Sequence, residues 1–254
     1  MLIDTHCHLD AAEFAADRAA VHALARAAGV DSIVVPAVAA SNFAAVKECC
    51  LRYPGCVAAY GIHPLYVNES REEDIDLLRA WLVAEQPVAV GEIGLDHYVA
   101  DADKVRQEWF FVEQLKLARE LGLPVLLHVR RAVDQILKHL RRIAVPGGIA
   151  HAFNGSRQQA EEFIKLGFCL GFGGAMSFSG STRIRHLAAT LPLAAIVLET
   201  DAPDIPPAWL GGARNAPGEL PRLAGVLAEL RGLPVADVAL VTSLTARRLL
   251  GLSR

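Results

Sequence analysis

The chain has 254 residues, 53% of them hydrophobic and 21% charged. A chain of that length buries a core without disulfide support, which excludes small stapled scaffolds, and the balance excludes a disordered polypeptide. A formal net charge of -3 supplies no overall basic field, which argues against a DNA-coating protein and limits any nucleic-acid contact to a local group of arginines.

Asp4 and His6 stand where an export signal would need a basic stretch followed by an apolar run. The five cysteines, Cys7, Cys49, Cys50, Cys56 and Cys169, are odd in number and contain no Cys-x-x-Cys pair, so a reducing cytoplasm is the expected location. The apolar run 33–40 is broken by Pro36 and falls far short of the roughly 20 residues that cross a bilayer. No membrane contact is expected. From the start of the chain, short apolar and β-branched runs predict strands at 2–5, 32–37, 57–62, 88–91, 125–129, 148–152, 168–172 and 195–200. Several are apolar on consecutive residues, as strands covered on both faces of a parallel sheet must be. Between them, helical periodicity predicts segments at 16–28, 42–52, 72–85, 104–121, 133–142, 157–166 and 183–191. In the fourth of these, Val105, Trp109, Val112, Leu115 and Ala118 recur at steps of three and four, and Gly122-Leu123-Pro124 stops the helix. A Pro/Gly-rich loop at 205–217 and two further helical stretches ending at Leu252 complete the chain.

Eight strand-and-helix units predict an α/β fold, a (β/α)8 TIM barrel forming one domain over 1–254. An open doubly wound sheet would call for Gly-x-Gly-x-x-Gly after its first strand; here the sequence reads His6-Cys7-His8-Leu9-Asp10.

Metal-capable side chains recur at the strands' C-terminal ends: His6 and His8, His63, Glu92, His128, His151, then Glu199 and Asp201. In a barrel these ends meet on one rim. His6 and His8, two apart on an extended chain, point to one face while Cys7 points into packing. A lone strand histidine is commonly a hydrogen-bonded core residue. Several imidazoles and carboxylates buried together without an ion would each cost about 1–3 kcal/mol or more, so coordination explains the group better. Four imidazoles and two carboxylates exceed the needs of one tetrahedral ion and suit two divalent ions. The expected ligands are His6, His8 and Asp201 for one and His128 and His151 for the other, bridged by Glu92. Magnesium, manganese and zinc are the candidates, and nitrogen-rich coordination favours the transition metals. Such a centre activates water for hydrolysis, with Glu92 and Asp201 as the candidate catalytic residues and Asp201 the general base. His63 is either a substrate contact or a further ligand.

The blocks Asp4-Thr5-His6-Cys7-His8-Leu9-Asp10, Gly61-Ile62-His63-Pro64, Gly91-Glu92-Ile93-Gly94-Leu95-Asp96, His128-Val129-Arg130-Arg131-Ala132, His151-Ala152-Phe153-Asn154-Gly155-Ser156 and Glu199-Thr200-Asp201-Ala202-Pro203-Asp204 resemble those of the TatD-type metal-dependent hydrolases. The resemblance runs through the whole chain in order. It implies an amidohydrolase-type barrel, divalent metals, deoxyribonuclease activity that removes nucleotides from a 3′ end, and ligand positions at His6, His8, Glu92, His128, His151 and Asp201. Three positions depart from the family pattern: Leu65 where many relatives carry histidine, Ala216 where an acid is common, and Thr245 where asparagine is common. They weaken the transfer of substrate preference but leave every expected ligand in place.

The expected activity is therefore 3′–5′ exonuclease cleavage of DNA phosphodiesters by a two-metal-activated water, with single-stranded 3′ ends as partner and a monomer as the acting species. The alternative is hydrolysis of a small amide, lactone or ester; a scaffold that keeps its ions for stability is a second rival. Candidate phosphate contacts are Arg130, Arg131, Arg214 and the Gly155-Ser156 helix start, with His63 beside them. Candidate stacking residues are Tyr66, Phe153 and Trp209. His97 is a possible substrate neighbour, whereas His22, His139 and His186 are expected on helix surfaces and Cys49-Cys50 in packing. Leu223, Val226, Leu227 and Leu230 form a stripe expected to cover the barrel.

Overall fold

Each predicted apolar run forms a strand in the structure, a computed structural model that describes residues 1–252. The strands are β1 (Leu2–Asp4), β2 (Val30–Pro36), β3 (Cys56–Tyr60), β4 (Ala89–Asp96), β5 (Val125–Arg130), β6 (Gly148–Ala150), β7 (Phe168–Phe172) and β8 (Ile196–Leu198). They follow one another around a single sheet in chain order, every neighbouring pair parallel. Backbone bonds bring the last strand back to the first. Thr5 N–H donates to Leu198 C=O at 3.1 Å, Asp201 N–H to His6 C=O at 2.8 Å, and His8 N–H to Ala202 C=O at 2.8 Å. The fold is the (β/α)8 barrel that the rhythm of the sequence predicts.

The outer helices are α1 (Arg18–Ala27), α2 (Phe43–Arg52), α3 (Asp74–Glu85), α4 (Lys104–Leu121), α5 (Val133–Arg142), α6 (Arg157–Lys165), α7 (Thr182–Thr190), α8 (Leu220–Arg231) and α9 (Val235–Leu250). Their ends follow from local chemistry. The Asp103 carboxylate caps α4 by accepting the Arg106 N–H at 2.9 Å, and Gly122, at φ 66°, ends it in the left-handed region. Leu223 and Leu227 of the α8 stripe are fully buried against the barrel, while Val226 and Leu230 are half-buried.

Two apolar layers sit at different radii. The outer layer lies between strands and helices and contains Phe43, Phe111, Phe163 and Cys7. The inner layer takes one side chain from each strand: Ile3, Val34, Ala59, Ala89, Leu126, Ile149, Cys169 and Val197. Ala246 and Leu250 of α9 pack onto that ring and close the barrel floor. Burying each large aliphatic group contributes about 1.5–3 kcal/mol. Thr245, on the same helix, is buried at this floor with its hydroxyl 3.4 Å from the Ala194 carbonyl. That departure from the family pattern lies at the end of the barrel opposite the rim.

Only β7 ends where predicted; the other ends shift by one or two residues except that of β4, and two of the shifts bear on the site. β4 runs five residues past the expected stop at Gly91, buried throughout, because its glycines and acids interrupt the apolar pattern while still fitting the barrel interior. β8 stops at Leu198, which places Glu199 and Asp201 on the loop beyond it. His22 and His139, expected on the surface, are buried. His22 Nε2 lies 3.0 Å from the Pro54 carbonyl and His139 Nε2 lies 2.7 Å from a Glu108 carboxylate oxygen, so each satisfies its polar edge locally. His186 is exposed, as expected. Among the described residues no helix is long and apolar enough to cross a membrane.

Candidate metal centre

The rim begins with short-range constraints on the first and last strands. Asp4 is fully buried; its Oδ1 accepts the Thr200 N–H at 2.9 Å and its Oδ2 accepts the Thr200 hydroxyl at 2.6 Å. From the other side Asn215 Nδ2 donates to the carbonyls of Thr200 and Asp204, both at 2.8 Å. Pinned between these braces, Asp201 adopts φ 57°, a left-handed conformation that aspartate tolerates better than most side chains. Sequence reasoning misses Asp4 and Asn215 as site-building residues; an acid in the apolar first strand is the available signal for one of them.

Two buried glutamines of α4 hold the neighbouring strand ends. Gln114 accepts the Ile62 N–H at 2.6 Å and donates to its carbonyl at 3.0 Å, just before His63. Gln107 accepts the Asp96 N–H at 3.0 Å. These bonds satisfy backbone groups that the sheet leaves unpaired.

Glu92 lies at the centre, 2% exposed in side chain, with its two oxygens facing different partners. Oε2 is 3.1 Å from His6 Nε2 and 3.5 Å from His8 Nε2. Oε1 is 2.9 Å from His151 Nε2 and 3.0 Å from His128 Nδ1. Asp201 Oδ1 completes the first group at 3.7 Å from His6 Nε2 and 3.9 Å from His8 Nε2. The structure thus brings together all six residues expected as ligands. Among the described residues, His6, His8 and Asp201 form one set that could hold an ion, whereas His151 stands with His6 and Glu92, and His128 with His63 and Glu92. Imidazole nitrogens face one another at 3.3 Å for His6 with His8 and 3.5 Å for His128 with His151. Metal–ligand bonds of roughly 2.0–2.2 Å in tetrahedral geometry separate adjacent donors by about 3.3–3.6 Å. The donor set fits divalent cations in both spacing and chemistry.

His63 is chemically different from the others. Its Nδ1 accepts the Leu65 N–H at 3.1 Å, so the neutral ring carries its proton on Nε2, which points at Glu92 Oε1 from 3.4 Å. A neutral ligating imidazole needs its other nitrogen protonated and facing an acceptor. His63 meets a donor there, an arrangement that suits donation from Nε2, and it also stands with Glu92 and His128 in a set that could hold an ion.

The electrostatics of the group show a demand for positive charge. Burial alone would raise Glu92, but the surrounding imidazoles hold it well below the usual carboxylate range. Burial pushes His6 down to about 3. His151 is desolvated too, yet the Glu92 charge carries it up to about 10. Glu199, desolvated behind His151, is raised to about 8. It occupies space left by Gly171, where a Cβ would lie 2.0 Å from Glu199 Oε2. Glu199 and Asp201 line a small crevice with Ala152, Gly173, Gly174 and Ile205.

The expected substrate contacts separate into those at the mouth and those occupied elsewhere. The Arg130 guanidinium stacks 3.8 Å from the ring centroid of exposed Tyr98, and Arg131 lies 4.6 Å from it. Tyr66 is 39% exposed and meets the His63 ring edge-on. Arg214 is committed structurally: its guanidinium forms a bidentate pair with Asp17 at 2.9 and 2.6 Å and lies over Phe14. Ser156 is spent on a capping box with Gln159 that starts α6. Phe153 is fully buried against Phe163 and offers no stacking face. Trp209 is half-buried, donates to Glu219 at 2.6 Å and carries Arg222 over its ring. His97 lies near Lys104 and Glu108.

A parallel barrel whose strand ends gather imidazoles around a shared carboxylate defines a metal-dependent hydrolase. The model of the family described as TatD related DNase matches residues 3–251, and the chain belongs to that TatD family. It is 42% identical over 240 residues to an uncharacterized metal-dependent hydrolase, YjjV of Escherichia coli K12, covering 93% of both chains. It is 33% identical over 255 residues to the protein named 3′-5′ ssDNA/RNA exonuclease TatD of Cronobacter sakazakii, covering 98% of this chain and 97% of that one. The crystal structure of the E. coli YjjV protein superposes with a TM-score of 0.96 at 40% identity, covering 99% of this chain and 98% of that one.

Proposed function

We propose that this hydrolase is a 3′–5′ exonuclease acting on single-stranded DNA, with two divalent ions as its cofactor. The observation that carries the reading is a two-sided carboxylate centre opening beside an arginine stacked on an exposed tyrosine. Likeness to the exonuclease-named relative supports the same substrate class. His6, His8 and Asp201 would hold one ion and His128 and His151 the other, with Glu92 contributing to both; the nitrogen-rich set favours zinc or manganese. Bound divalent ions supply Lewis acidity toward phosphoryl oxygens and lower the pKa of water. Asp201 turns Oδ1 toward His6 and His8, leaving Oδ2 to take the proton of the attacking water. His63 donates from Nε2 to a substrate oxygen at the mouth. Arg130 holds the phosphate and Tyr66 stacks on the terminal base.

Digestion of 5′-labelled single-stranded oligonucleotides with free or blocked 3′ ends, under manganese, magnesium or zinc, tests this reading. The expected result is a ladder from free ends alone, with Asp201→Asn slower by about 10²–10⁴-fold. Equal cutting of blocked ends refutes the exonuclease. Turnover of small amides, lactones or esters with every oligonucleotide left intact puts the small-molecule hydrolase in its place.

A further inference from the structure

Asp96 belongs to neither ligand group, yet it is fully buried at the end of β4, beside the mouth of the barrel. β4 and β5 pair so that Gly94 faces His128 and Asp96 faces Arg130. The approach is close at Gly94, where φ is 149° and a Cβ would lie 2.0 Å from the His128 carbonyl oxygen. This register delivers the Asp96 carboxylate behind the His128 ring. Its Oδ2 lies 3.1 Å from His128 Nε2, while Nδ1 of the same ring faces Glu92. The other oxygen, Oδ1, accepts the N–H groups of Tyr98 at 2.8 Å and Val99 at 3.3 Å. Arg130 Nη1 lies 3.7 Å from Oδ2 while its guanidinium covers the Tyr98 ring. One carboxylate therefore touches a ligand imidazole, the backbone of the exposed tyrosine and the arginine above it.

We infer that Asp96 is a positioning residue: it holds the Nε2 proton of His128 so that Nδ1 is the ligating atom, and it anchors the Tyr98–Arg130 platform at the mouth with the same side chain. The inference rests on the metal part of the proposed function and is independent of the substrate. A carboxylate behind a ligating imidazole fixes its tautomer and ring orientation, and removing such a partner commonly weakens metal binding by about 10–100-fold. Because Oδ1 shapes the loop that presents Tyr98, the arrangement of the substrate platform is tied to the orientation of a ligand ring.

The test is zinc titration followed by the imidazole ¹⁵N resonances of His128 in the full chain. In the wild type, zinc is expected on Nδ1 with a proton retained on Nε2. In Asp96→Ala, half-saturation of that signal is expected to need about 10–100-fold more zinc. Asp96→Asn, which keeps an acceptor for the Tyr98 and Val99 N–H groups, is expected to fall between the two and decides the question by the same readout if Asp96→Ala does not fold. Arg130→Ala is expected to raise the KM for oligonucleotides and leave zinc half-saturation unchanged. Zinc on Nε2 of His128, no ligation by His128, or wild-type half-saturation in a folded Asp96 variant each overturns the inference. A failure of the nuclease reading appears separately, as intact oligonucleotides with the zinc shift still present.

Discussion

The floor and the mouth of this barrel are built by the same strands and differ in almost every physical respect. At the floor, the strands contribute a ring of side chains from Ile3 to Val197, and Leu250 of α9 plugs it. At the mouth, the strand ends and the loops beyond them place imidazoles and carboxylates 2.9–3.9 Å apart. The floor gains from dehydration, whereas the mouth gathers groups whose dehydration is costly until a cation compensates them. Stability and chemistry are therefore placed at opposite ends of one ring of strands, and each end can be perturbed with the other as control.

The largest expected effect is at the mouth. Asp201→Asn should cost about 10²–10⁴ in turnover and leave the urea unfolding midpoint of the metal-free protein near that of the wild type. Next is Leu126→Ala at the floor, fully buried in the inner ring. It should lower stability by about 2–5 kcal/mol in urea titration with unchanged turnover per folded molecule; a matching loss of turnover would show that the two ends are not separable. Third, stripping metal with a chelator should lower the melting temperature, by the equivalent of about 2.7 kcal/mol if the ion was present at a hundred times its dissociation constant. The same decrement is expected in Leu126→Ala, because distant changes add. The smallest effect is at neither end. Arg214 holds the Asp17 carboxyl below its ordinary range. A lowered acid stabilises the fold above its unfolded pKa, and that stabilisation fades as pH falls through the native value. Arg214→Ala should cause a slight loss of stability at neutral pH that disappears in strong acid, with no change in oligonucleotide KM.

The two ends are also unequally legible in the sequence. Consecutive apolar residues announce parallel strands, and spacing alone delivers His6 and His8 to one face. Composition cuts β4 short because Gly91, Glu92, Gly94 and Asp96 are poor strand residues, although the barrel buries all of them. The ligand residues are legible because they cluster at strand ends. Their supports are not: Asp4, Asn215 and the α4 glutamines act through hydrogen bonds to backbone groups brought near by folding. His139 resembles a polar helix residue because its acceptor, Glu108, lies 31 positions away. Arg214 has the charge and loop position of a phosphate ligand, but Asp17, from the far end of the chain, holds it.

The closure of β8 onto β1 sets an order on the making of this molecule. His6 and His8 are synthesised well before the strand that seats them against Asp201, which comes nearly two hundred residues later, and the plugging helix comes later still. A nascent chain halted before residue 196 would carry all nine of its imidazoles with no eighth stave. Competence for chemistry therefore arrives late in synthesis, when the eighth strand closes onto the first.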